Sequence, residues 1–314
     1  STSHEARSMT YSIMRMIEMM GDEFPLLLNA VLSRFPIIVA GGDIELVDDI
    51  ANSIPMLCSH RHKIVFWRDF TSEGEILSVW EEEKHDYEVS RTIVCCLSAN
   101  LRLALDRISR FSGWIIAMPL GATVLGVHVT EETLQDAVIR ILQSSENCGI
   151  LRVDSPSSIR FSLVQPGIGS LDLEKRIVGK IITRKRQSLE RIRRLLKKSL
   201  RGLDVSEHII TSVMKLDDEA EKLTHDVFDE EIDSYVHAAR RAVTLLSRIR
   251  LARELGAPAA LTARNLYEAI GWDGGQLPDL IRFMRAEWHE DFSDCVKSGA
   301  LSGLGAWVDS MWGA

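Results

Sequence analysis

From Pro36 to Leu163 the chain alternates short, almost wholly apolar runs with longer segments whose apolar positions recur every three or four residues. The runs are IIVAGG, KIVFW, RTIVCCL, WIIAM, GILRVD and SIRFSLV, most of them rich in β-branched residues. Runs of this kind predict strands buried on both faces, since a half-exposed strand would show a polar residue at every second position. Between them IELVDDIANSIPML, EILSVWEEEKHDYE, NLRLALDRIS and a segment starting after Thr130 read as helices. Thr130 stands three residues before Thr133, and Glu131 and Glu132 place negative charge where a first helical turn favours it. Strands alternating with helices predict an α/β fold, a mostly parallel sheet flanked by helices. Ahead of the first strand, a Met-rich helix is expected over Glu5 to Met20 and a second, more apolar one at FPLLLNAVLSR.

The stretch from Phe111 to Val129 carries no Asp, Glu, Lys or Arg and approaches the length that spans a bilayer. Pro119, Gly121 and Gly126 break it, however, and its β-branched residues fall in two groups. Two buried strands, WIIAM and TVLGVHV, joined at PLGA, account for it without a membrane.

Beyond Gln165-Pro166-Gly167 the strand signal ends and nearly everything reads as helix. The expected organisation is an α/β domain over 1–166 and an all-helical domain over 167–314, with the turn-rich QPGIGS between them. Residues 175–201 hold twelve Lys or Arg and a single acid, Glu190. Leu189, Ile192, Leu196, Leu200 and Leu203 give this basic helix an apolar stripe. Residues 204–233 reverse the sign, with eleven Asp or Glu against Lys215 and Lys222. A basic helix followed by an acidic one predicts an antiparallel pair held mainly by its apolar stripe, because exposed ion pairs contribute about 0–1 kcal/mol each. Tyr235 to Leu255 is expected as a further helix, and LPDLIRFMRAEWHEDFSDCV as the last one before a Gly-rich tail with Trp307 and Trp312.

The net charge of -8 and pI near 5.7 argue against a free, highly basic nucleic-acid binder, though not against a local patch. Cys58, Cys95, Cys96, Cys148 and Cys295 are odd in number, scattered and set among apolar residues, which predicts buried thiols in an intracellular, cytoplasmic protein. The opening residues, STSHEARSMTYSIM, have no basic region followed by an apolar one, so no secretory leader is expected.

Candidate chemistry is sparse. Gly41, Gly42 and Asp43 follow the first strand, where a parallel sheet can present a helix N-terminus to phosphate. No Lys follows Gly42, neither glycine-rich nucleotide fingerprint is present, and Asp43 and Glu45 would repel an anion, so Asp43 reads as a helix cap. Cys58-Ser-His60-Arg-His62 places three potential metal ligands at alternate positions, with His85 as a remote fourth. Without paired knuckles the expectation is a buried Cys and two surface histidines, and no metal. Cys95 and Cys96, adjacent in a strand, point to opposite faces and cannot chelate together. Glu81, Glu82 and Glu83 read as a solvated helix face, and Asp69 as a cap. No catalytic constellation or cofactor is expected, which favours a protein that is not an enzyme.

Basic residues form the remaining candidates. Arg184, Lys185, Arg186, Arg191, Arg193, Arg194, Lys197, Lys198 and Arg201 lie on the basic helix. Farther on, Leu266, Ile270, Trp272, Leu277 and Leu280 bracket Gly271 in a segment, 262–287, that resembles a helix-turn-helix unit over some twenty residues. That resemblance would make Arg282 and Arg285 the readers of nucleic acid. Tyr267, Gly274-Gly275 and Pro278 depart from its pattern. Residues 26–55, LLLNAVLSRFPIIVAGGDIELVDDIANSIP, together with LGVHV at 125–129, also resemble locally the central segment of DENN-type exchange factors, with a longer stretch between them than that pattern has.

The function expected from these residues is a non-catalytic assembly or regulatory role. A protein partner or a second copy would bind the helical half through Arg191, Arg193, Arg194, Lys197 and Lys198 and through Trp307 and Trp312, since Arg and Trp dominate interfaces. The alternative is nucleic-acid binding through Arg184, Lys185, Arg186, Arg282 and Arg285. The third is a nucleotide-dependent enzyme working at Gly41, Gly42 and Asp43.

Overall fold

A computed structural model describes residues 11–66, 92–107, 113–124, 126–166, 169–199, 207–257, 259–272 and 274–297. The side chains of 62–66, 92, 107, 188–189, 192–193, 195–199, 207–220 and 297 are outside this description, as are Asp69, Glu81, Glu82, Glu83, His85, Arg201, Trp307 and Trp312.

The mostly parallel sheet flanked by helices is present as predicted. Strands β1 (Ile37–Gly41), β2 (His62–Phe66), β3 (Thr92–Cys96), β4 (Ile115–Pro119), β7 (Gly149–Ser155) and β8 (Ser158–Leu163) lie in the order β2-β3-β4-β1-β7-β8. All neighbours run parallel except the β7–β8 hairpin at one edge. Side chains divide by alternation: Ile37, Val39, Ile93, Cys95, Ile115 and Ala117 enter one buried cluster, whereas Ile38, Ala40, Val94, Cys96, Ile116 and Met118 enter the other. Cys95 and Cys96 therefore do face opposite ways, and all five cysteines are free and buried. Burial pushes the Cys58 thiol up to about 11, so it stays protonated and unreactive near neutrality.

Helices cover both faces. Helices α4 (Leu101–Arg107) and α5 (Glu131–Leu142) pack on one. Thr130 caps α5 through a reciprocal pair with Thr133, with Glu131 and Glu132 in the first turn, as the sequence predicts. On the other face lie α1 (Ile13–Met20), α2 (Phe24–Leu32), α3 (Ile44–Ser53) and the helical half of the chain. That half comprises α6 (Asp172–Ser199), α7 (Glu207–Glu254), α8 (Ala263–Ile270) and α9 (Leu277–Trp288). Leu173, Ile177 and Ile181 of α6, Phe228, Ile232 and Leu246 of α7, and Leu280 and Phe283 of α9 share one buried cluster with Phe24, Leu28 and Val39. Each such side chain contributes roughly 1.5–3 kcal/mol by leaving water.

Three expectations are corrected. Helix α1 begins at Ile13 rather than Glu5, because Ser12 is extended and its hydroxyl accepts from the Arg15 amide, which fixes the start there. The acidic segment and the segment from Tyr235 form one uninterrupted helix, α7, since a change in charge sign does not interrupt backbone hydrogen bonding and no Gly or Pro stands between them. TVLGVHV is not a second sheet strand. It folds into a small hairpin of β5 (Thr123–Val124) and β6 (Val127–His128), turned at Gly126 with φ +81°. Among the described residues no helix is long and apolar enough to cross a membrane.

Candidate functional site

The carboxyl end of the parallel sheet comes first. From β1 the chain crosses to β2 at the edge, and from β4 it crosses the opposite way to β7, so the loops after these neighbouring strands diverge. Such a divergence is where open α/β sheets hold ligands. Here the Leu120 N–H donates to the Gly41 carbonyl at 2.7 Å, continuing the β1–β4 pairing past the strand ends. Helix α3 has its first amides occupied: the Asp43 carboxylate accepts from Glu45 and Leu46 at 3.0 and 3.2 Å. Beside it, Asp48 accepts from the Ser98 amide and hydroxyl at 2.7 Å each, tying α3 to the end of β3.

Gly41 is explained by packing. A Cβ there would stand 2.4 Å from the Val153 carbonyl oxygen on β7, whereas one at Gly42 would meet nothing within 4 Å. Gly41→Ala is therefore expected to destabilise the fold by about 1–3 kcal/mol through overpacking, and Gly42→Ala to fall within ~0.5 kcal/mol of wild type. Urea denaturation of the two variants checks this contrast, and equal effects would contradict it.

The metal-like pattern resolves differently from expectation. Cys58 is buried as foreseen, but the His60 side chain is buried too, with Nε2 lying 3.3 Å from Glu287 on α9. Arg61 beside it donates through Nε to Glu287 at 2.7 Å and through its two terminal nitrogens to the carbonyls of Val31 and Leu32 at 2.8 and 3.1 Å. This arginine thus closes the open carbonyl end of α2 and joins it to α9. Burial drives the Glu287 carboxyl up, but Arg61 and His60 overcome that and hold it well below the usual carboxylate range. Among the described residues no cluster of three His, Cys, Asp or Glu could hold a metal ion.

A second polar junction lies between α2, α6, α7 and α9. Glu174 is buried, accepts from the Asn29 amide at 2.8 Å, and has its second oxygen without a hydrogen-bond donor. Burial raises Glu174 to about 7 and the nearby Asp279 to about 6, against the pull of Arg282. Neither junction is visible to motif reading, because the partners are more than a hundred residues apart. A signal existed in the unusual density of charge on otherwise apolar α9.

The α8–α9 segment forms two helices around Gly271, which has φ 64° and caps α8. Leu266, Ile270, Trp272, Leu277 and Leu280 are all buried. Arg282 lies 3.5 Å from Asp279 with 11% of its side chain exposed, and Arg285 pairs with Glu146. Both arginines thus face carboxylates of the same chain.

The basic helix is different. Its last described buried residue is Ile181, and beyond it every described side chain is exposed except Lys185. Arg184, Arg186, Arg191 and Arg194 stand in solvent, Lys185 reaches Glu18 on α1, and Arg194 lies 3.7 Å from Glu190. Closer to the body, Lys180 pairs with Glu231 of α7 at 2.5 Å, the flank contact predicted from the charge reversal. Helices α6 and α7 pack on each other. Arg193, Lys197 and Lys198 lie on α6 with side chains outside the described set. Compared with known protein families, with curated proteins and with solved structures, the chain matches none of them.

Proposed function

We propose that the chain is a non-catalytic binding protein whose helical half engages an acidic macromolecular partner through the outer part of α6. The observation that carries this reading is the exposure of Arg184, Arg186, Arg191 and Arg194 on a helix whose last buried residue, among the described side chains, is Ile181. Along residues 184–194 of α6 four exposed guanidinium groups share the helix with a single acid, Glu190, a locally positive stretch on a chain of net charge -8. Such a field steers an acidic surface into register and suppresses basic competitors. The capped α3 terminus, with its carboxylate in the place an anion would take, weighs against the nucleotide-dependent alternative.

Paired reversal, Arg191→Glu with Arg194→Glu, is expected to weaken partner capture at least tenfold while leaving thermal unfolding unchanged, because both side chains are exposed. Isolation of the partner by crosslinking, followed by titration at rising salt, measures this. Unchanged affinity in the paired variant would remove the proposal. Nucleic acid is the second reading, supported by the same four arginines without help from Arg282 and Arg285. It requires binding at low salt that weakens linearly on a logarithmic salt axis.

A further inference from the structure

We propose that a second copy of this chain docks antiparallel along α7, about a two-fold axis passing through His237. This surface is separate from the basic part of α6, so either proposal can fail without the other.

One exposed stripe runs along α7. It carries Asp226, Glu230 and Asp233 toward the N-terminal side and Arg240, Arg241 and Arg248 toward the C-terminal side, with His237 between them. Steps of three, four and seven residues keep these positions on one face of the helix. The buried positions Phe228, Ile232, Tyr235, Ala239, Ala242 and Leu246 occupy the opposite face, against the body. Among the described residues none of the stripe's charged groups forms an ion pair, although neighbouring pairs on other faces do, as with Lys180–Glu231, Arg250–Glu290 and Arg253–Asp294. Like charges therefore stand together at each end, Asp226 with Glu230 one turn apart, unfavourable in an isolated helix, and Arg241 with Arg248 two turns apart.

The spacing is self-complementary. Asp226 and Arg248 are equidistant from His237, and so are Asp233 and Arg241, Glu230 and Thr244, and Leu223 and Leu251. An antiparallel mate centred on His237 sets each acid against an arginine or a hydroxyl. It also sets the exposed leucines, Leu223 at 37% and Leu251 at 55% exposure, against each other at the two ends. Each contact occurs twice, as an isologous interface requires. Beside the stripe, between α7 and α8, lies a groove of about 480 Å³ lined by His237, Arg241, Thr244 and Arg248 over Leu245 and Ile270. Among the described residues no carboxylate lines it. It offers the acidic half of the second copy a positively charged seat with an apolar floor.

The test uses the full chain. Wild type is expected to sediment as a dimer whose dissociation constant rises with salt. Arg248→Asp should raise that constant roughly tenfold or more, since two symmetric attractions become two repulsions. The exchanged pair Asp226→Arg with Arg248→Asp should restore it. His237→Cys should give a disulfide-linked dimer under mild oxidation, because the residue meets its own counterpart. Thr244→Cys should not, its two copies lying ~20 Å apart along the axis. The native cysteines, all buried, provide the silent background. A monomeric wild type, failure of the exchanged pair to restore association, or equal crosslinking at both positions would overturn the proposal.

Discussion

Exchanging Glu287 for Ala is expected to lower unfolding free energy by about 3–5 kcal/mol, the largest single effect outside the apolar core. The reason is what remains. Arg61, with 1% of its side chain exposed, would keep its charge in the interior without a carboxylate from Glu287, held by the neutral carbonyls of Val31 and Leu32. His60 would lose its carboxylate contact as well. Removing both members, Arg61→Met with Glu287→Leu, is expected to cost far less than the sum of the single changes, because no uncompensated charge is left. A double-mutant cycle by urea denaturation measures the coupling. A Glu287→Ala variant as mild as a surface substitution would show that the pair does not carry the α2–α9 junction.

The second large effect is on pH. Glu174 sits at about 7 in the fold against an ordinary 4.5, chiefly through burial, so the folded chain retains a proton that the unfolded chain releases between those values. Its contribution is fully present below pH 4.5 and is lost as pH rises through 7, an effect of ~3 kcal/mol. Asp279 has the same sign between its ordinary 3.8 and about 6. Glu287, held low, acts oppositely, and its stabilisation disappears only in acid. The urea midpoint is therefore expected to fall between pH 5 and pH 8. Glu174→Gln, neutral at every pH and still able to accept from Asn29, should flatten this fall and raise stability at pH 8. A midpoint in wild type that is level across the window would contradict the assignment.

The sheet was legible because its strands are buried on both faces: runs such as IIVAG and TIVCC need no tertiary information to be recognised. Local chemistry was equally visible, as at Asp43, whose side chain bonds amides two and three residues away. What could not be read depended on distant approach. Gly41 looks like a ligand loop until the Val153 carbonyl arrives beside it. His60 and Arg61 look like solvated loop residues, since their partner lies far along the chain on α9. Helix α7 was divided by its change of sign, although charge governs what a helix face meets and not whether its backbone continues. Its self-complementary spacing emerges only once the two segments are known to be one rod.

The Arg61–Glu287 link also bears on how the chain matures. During synthesis α2 and Arg61 leave the ribosome more than two hundred residues ahead of Glu287. Until then the guanidinium remains hydrated and the end of α2 has no anchor. Closure across so long an interval carries a large loop entropy and slows the final step. The part of the sheet's apolar face that α9 covers therefore stays open until residue 287 has emerged, and in that interval it is exposed to aggregation.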